Sequence, residues 1–158
     1  MKHGFSGTEL WVARQGLALA PEVQARWLAL LDEGERQRWQ RFRQERDRAS
    51  FLLGKVLTRS VLAARLGCSP GELVFRPDVH GKPRLKHPDS PALLFNLSHT
   101  PGMAVLAVAE GREPGVDVES FRREVDALAL ARRYFATPEL AILDTLDGEA
   151  LQEHFITL

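Results

Sequence analysis

The stretch Phe95-Asn96-Leu97-Ser98-His99-Thr100, followed shortly by Gly115-Val116-Asp117-Val118-Glu119, decides how this chain is read. Side chains alternate faces along an extended chain, so strands are expected over residues 93–98 and 115–119. In the second, Val116 and Val118 turn to a core, while Asp117 and Glu119 share the other face roughly 7 Å apart. Two like charges placed side by side repel, and solvent, an arginine or a divalent cation must offset them. Asn96, Ser98 and His99 bring an amide, a hydroxyl and an imidazole to a strand end, where they could line an anion site. Each feature taken alone also has a plain reading: solvated or salt-bridged acids, and a polar strand cap.

Outward from this centre, residues 73–76 and 103–109 are further short apolar runs bounded by Gly or Pro, and the sheet they predict is antiparallel in part. Upstream, residues 9–13 read as extended, with Gly4, Gly7 and Gly16 as breakers. Pro21 suits a first helical turn, and Val23, Trp27, Leu30 and Leu31 recur at helical spacing. Beyond Gly34, Trp39 and Phe42 lie among six arginines (Arg36, Arg38, Arg41, Arg43, Arg46 and Arg48), and Phe51, Leu52 and Val56 extend an apolar pattern to Leu66. This reads as one helix closed by Gly67, with Trp27, Trp39, Phe42 and Phe51 as core rather than a ligand platform. Ser69, Pro70 and Glu72 fit a capping box. Helical pattern returns over 127–135 and 139–146 and from Gly148 onward, with Thr137 and Pro138 placed to start a helix, Tyr134 and Phe135 read as packing, and Glu139 able to approach a metal site. The fold class expected is α+β.

With 158 residues, 44 % of them hydrophobic and 27 % charged, the chain is sized for one compact unit. Its 21 basic and 21 acidic residues cancel, so no net field argues for nucleic acid or an anionic membrane. Glu35, Glu45 and Asp47 break up the arginine run, which further disfavours nucleic acid. One cysteine, Cys68, and no zinc-ligand spacing suit a reducing, cytoplasmic setting. Neither a signal peptide nor a membrane span is expected.

These pieces, in this order, resemble the 4'-phosphopantetheinyl transferases of the Sfp type. The residues that carry the resemblance are the segment Arg38 to Arg48 running into Phe51-Leu52-Leu53-Gly54-Lys55, then Gly81-Lys82-Pro83, Phe95-Asn96-Leu97-Ser98-His99, Gly115-Val116-Asp117-Val118-Glu119, and Arg133-Tyr134-Phe135 leading to Glu139. The resemblance implies a transferase that moves the phosphopantetheine arm of coenzyme A onto a serine of an apo acyl or peptidyl carrier protein, with Mg2+ and release of adenosine 3',5'-bisphosphate. Asp117 and Glu119 match the family's metal-binding, catalytic acids. Arg46, Lys82, Pro83, Ser98 and His99 match coenzyme A contacts, with Arg46 and His99 beside the 3'-phosphate; Arg38 is a further candidate.

The family folds as two similar α/β halves. The resemblance therefore implies a first half over residues 1–110 and the start of a second over 111–158. Family members continue past a segment like His154-Phe155-Ile156-Thr157-Leu158 with a Trp-x-x-Lys-Glu-Ala-x-x-Lys motif that this sequence lacks, and the expectation is of a truncated second half. The alternative to a transferase is a non-catalytic module that binds coenzyme A or a carrier protein.

Overall fold

A computed structural model describes residues 2–5, 7–15, 19–120 and 127–157. Where length predicts one compact unit, the chain forms two, divided between Val118 and Glu119. In the first, strands β1 (Lys2–Phe5), β2 (Thr8–Arg14), β5 (Leu93–Thr100) and β6 (Met103–Glu110) make an antiparallel sheet in the order β1-β2-β6-β5, and β3 (Val74–Pro77) pairs with β4 (Pro83–His87) in a separate hairpin. Helices α1 (Pro21–Ala29), α2 (Glu33–Arg41) and α3 (Glu45–Leu66) lie between β2 and β3 in the chain.

The sheet is organised around β6, whose residues from 104 to 109 are all buried between β2 and β5. Pro101 and Gly102 turn β5 into β6; Gly102 has φ +81°, and a Cβ there would lie 3.2 Å from the Gln15 carbonyl. Pro followed by a positive-φ Gly suits this turn. α3 packs against β6, β5 and β2. Val61, Leu62 and Ala63 from its C-terminal half meet Phe95, Leu106 and Val108 in one core. Its N-terminal half joins a second, with Phe51 and Leu52 against Leu31 and half-buried Trp27, Trp39 and Phe42, so the aromatics read as core are core.

Four local expectations change. The helix expected beyond Gly34 is two: Phe42 turns extended (ψ 131°) and Arg48 Nε donates to its carbonyl at 2.9 Å. Asp32 starts α2 with a capping box, accepting the Glu35 N–H at 2.8 Å while Glu35 takes the Asp32 N–H at 3.2 Å. β1 and β4 are strands that the sequence did not announce, and Gly4 sits inside β1 rather than breaking a strand; Gly16 lies outside the described residues. Residues 115–119 make no ladder strand. Gly67 does end α3, at φ +66°.

The second unit contains α4 (Ala127–Tyr134), α5 (Thr137–Leu143) and α6 (Gly148–Thr157), which pack on one another. Ala131 and Leu143 are fully buried, and the rings of Phe135 and Phe155 stack at 5.3 Å. Tyr134, expected to pack, is 68 % exposed beside the Arg133 guanidinium. Among the described residues no helix is long and apolar enough to cross a membrane.

Candidate functional site

β5 positions the site because it is an edge strand of its sheet and its two faces differ. Leu93, Phe95 and half-buried Leu97 join the core beneath α3, and strand alternation assigns His99 to that face and Asn96, Ser98 and Thr100 to the other. Gly54 lets α3 come close here: a Cβ at that position would lie 3.0 Å from Leu97 Cδ2 and 3.8 Å from His99 Cδ2.

Beside this contact lies a groove of about 330 Å³. It is lined by the apolar groups of Phe51, Phe95, Leu97 and Pro83, by Asn96, and by Arg38, Lys55, Lys82 and His99. Three cations and an imidazole over an apolar floor make a place for a phosphorylated molecule with a flat apolar part. The Arg38 guanidinium and the Lys55 ammonium each lie 5.5 Å from the Phe51 ring centroid, within cation–π range. Lys55 also pairs with Glu35 at 3.0 Å.

Lys82 is presented by a tight turn in which Asp78 Oδ1 accepts the N–H groups of His80 and Lys82, both at 2.9 Å. Its ammonium pairs with Glu113. Arg84 bonds the other oxygen of the same carboxylate at 2.7 Å and reaches Asp78 at 3.1 Å. The Arg84 bond first, then the one from Lys82, hold the Glu113 carboxyl below the ordinary glutamate range.

On the opposite face of β5, side chains of that strand take up the segment expected to be a strand. Asn96 Oδ1 accepts the Val116 N–H at 3.1 Å, and Ser98 Oγ accepts the Val118 N–H at 3.2 Å while donating to Asp117 Oδ1 at 2.7 Å. Alternate N–H groups pointing one way are the mark of extended backbone. Val116 and Val118 are half-buried and Asp117 and Glu119 exposed, as alternation predicts, although the partner is a row of side chains and not a backbone ladder.

The structure thus brings Arg38, Lys82, Pro83 and His99 together in one groove and pairs Ser98 with Asp117 across the strand. Arg46 is elsewhere: it is exposed, lies 3.7 Å from Asp47, and lines a separate cavity of about 320 Å³ with Trp39, Gln15 and Gly102. Glu139 turns to its own helix, where Oε2 accepts the Ala136 N–H at 2.8 Å. Sequence reasoning gave no site role to Lys55, which it named only as part of the resemblance, and did not single out Arg84 or Glu113. Lys55 follows Phe51 by one helical turn and was detectable from spacing; Glu113 is 31 residues from Lys82 and left no local signal. Among the described residues no three acids, histidines or cysteines gather as a metal-ligand set.

A sequence profile described as the N-terminal part of 4'-phosphopantetheinyl transferases matches residues 21–111, more than half of the chain. The chain belongs to the 4'-phosphopantetheinyl transferase family. It is 38 % identical over 138 residues to the 4'-phosphopantetheinyl transferase HetI of Nostoc sp., an alignment that takes in 85 % of this chain and 58 % of HetI. It is similar also to the phosphopantetheinyl transferase of Thraustochytrium sp. (34 % over 133 residues, 84 % of this chain and 46 % of that protein). With the 4'-phosphopantetheinyl transferase Sfp of Bacillus subtilis it shares 29 % over 140 residues, 89 % of this chain and 60 % of Sfp. The chain spans three fifths or less of the length of these relatives.

Proposed function

We propose that this chain acts in transferring the 4'-phosphopantetheine arm of coenzyme A to a serine of an apo acyl or peptidyl carrier protein. The observation that carries the reading is the groove beside β5, where Arg38, Lys55, Lys82 and His99 surround the apolar surface of Phe51, Phe95 and Leu97. Coenzyme A offers this groove a phosphorylated nucleoside: phosphate oxygens for the cations and imidazole, and a flat base for the apolar surface. The names of the relatives support the same reading.

Asp117 is read as a ligand of Mg2+, with Glu119 two residues further along as the second acid. Asp117 suits the ion: its carboxylate is exposed and, among the described residues, its partner is a neutral hydroxyl rather than a cation. Hard carboxylate oxygens, one or two in number beside substrate phosphate and water, are what Mg2+ takes. When bound, the ion would withdraw charge from the pyrophosphate as the carrier serine attacks and the bisphosphate leaves. The groove residues hold the nucleotide end so that the pyrophosphate is fixed relative to the attacking hydroxyl. Arg46 is kept as a further contact for the nucleotide, although it lines a separate cavity.

Residues 1–110 are read as the first half of the family's two-part fold and 111–158 as the start of the second; the N-terminal profile over 21–111 supports this division. The free thiol of Cys68 fits a cytoplasmic setting. The test is the intact mass of an apo carrier protein incubated with this chain, coenzyme A and Mg2+. A gain of one phosphopantetheine arm, lost in Asp117→Ala, is expected. No gain from a folded chain that binds coenzyme A would reduce the reading to a binding module.

A further inference from the structure

We propose that Asn96 and Ser98 are positioning residues for the metal, holding the segment that carries Asp117 and aiming its carboxylate; the inference rests on the metal role read for Asp117. A serine hydroxyl has one proton to give and lone pairs to accept with. Ser98 gives its one proton to Asp117 Oδ1 at 2.7 Å and accepts the Val118 N–H at 3.2 Å, so it bonds the acidic segment both as donor and as acceptor. Asn96, two residues earlier on the same face of β5, accepts the Val116 N–H at 3.1 Å. These oxygens do for residues 116 and 118 what backbone carbonyls do in a ladder, and the segment is thereby registered on β5 on both sides of Asp117.

The carboxylate gains a defined rotamer from this. Oδ1 is anchored by the Ser98 hydroxyl, and the carboxylate is exposed, which leaves the other oxygen available to a hard cation. Hydrogen-bond donors to ligating carboxylates commonly govern metal affinity by 10–100-fold when removed.

The experiment titrates Mn2+, read by its electron paramagnetic resonance signal, into the full chain with saturating coenzyme A. In parallel, coenzyme A affinity is measured without metal. Ser98→Ala is expected to weaken Mn2+ binding by roughly 10–100-fold, far more than it weakens metal-free coenzyme A affinity. Ser98→Thr, which keeps a γ-hydroxyl on a strand, restores Mn2+ binding, a rescue that a packing role would not produce. Asn96→Ala removes a different acceptor from the same segment and weakens Mn2+ in the same direction; it carries the comparison should Ser98→Ala fail to fold. Asp117→Asn is the reference. If it weakens Mn2+ while Ser98→Ala and Asn96→Ala do not, the positioning role is overturned and the metal role stands. If Ser98→Ala instead lowers metal-free coenzyme A affinity and spares Mn2+, the hydroxyl is a ligand contact and the inference falls. No Mn2+ binding by the unaltered chain, or none lost in Asp117→Asn, overturns the metal role and this inference with it.

Discussion

Arg59 shows most clearly how much one residue organises. It is fully buried, and its guanidinium donates to Glu35 Oε2 (2.8 Å), Asp32 Oδ2 (2.9 Å) and the carbonyls of Pro70 (2.8 Å) and Leu73 (2.9 Å), with its plane 5.2 Å from the Phe75 centroid. One side chain thus ties the start of α2 to α3 and to the turn before β3. A buried charge is tolerated because it is fully paired; removing one partner strands the others. Arg59→Ala is expected to lower unfolding free energy by about 3–5 kcal/mol, measured by urea denaturation, with Glu35 left buried and two carbonyls unsatisfied. Nothing in the local sequence singles this residue out, since an arginine within a helical pattern usually faces water. His99 and Ser98 mark the opposite case. Their adjacency in the sequence invites one shared site, and the two-residue period of a strand sends them to different faces.

At the scale of elements, helix ends are where local chemistry was most legible. Gly67 closes α3 at φ +66°, and no neighbour lies within 4 Å of a Cβ built there, so the cost of Gly67→Ala is purely conformational. It should come to about 1–2 kcal/mol, read as a lower Tm without change in ligand affinity. Glu72 and Glu139 likewise take the N–H of the residue three before them, at 2.6 and 2.8 Å. The joining of the β3–β4 hairpin to residue 113 was not legible, because the bonds of Lys82 and Arg84 to Glu113 span 31 and 29 residues. These bonds lower the Glu113 pKa, and the sign follows. A carboxyl depressed in the folded state contributes stability above its unfolded pKa, about 4.3 for glutamate, and loses it as pH falls through the lower folded value. Glu113→Gln should therefore flatten the acid side of a Tm against pH profile below that range and lower Tm slightly at neutral pH. The effect is small, since exposed ion pairs contribute little and are screened by salt.

For the whole molecule, the expected behaviour is set by ligand linkage. A ligand that binds the native state alone raises stability, by about 2.7 kcal/mol at a hundred times its Kd. Coenzyme A with Mg2+ should raise Tm, and Lys82→Ala or Arg38→Ala should shrink that rise while leaving the ligand-free Tm near its starting value; a full rise in both variants would remove the groove from the binding site. Periodicity, caps and short motifs act through neighbours in the chain, and they were enough to read the family, the mixed α/β class, the runs behind α1, β2, β5 and β6, and the alternation that sets half-buried Val116 and Val118 against exposed Asp117 and Glu119. Tertiary structure alone decided that residues 115–118 are held by Asn96 and Ser98 instead of a ladder, that Lys55 joins Arg38, Lys82 and His99 in one groove, and that Arg46 lies apart. Those arrangements depend on which strand is left at the sheet's edge and how closely α3 approaches it at Gly54, and such packing is set by contacts between residues far apart in the chain, which no local pattern encodes.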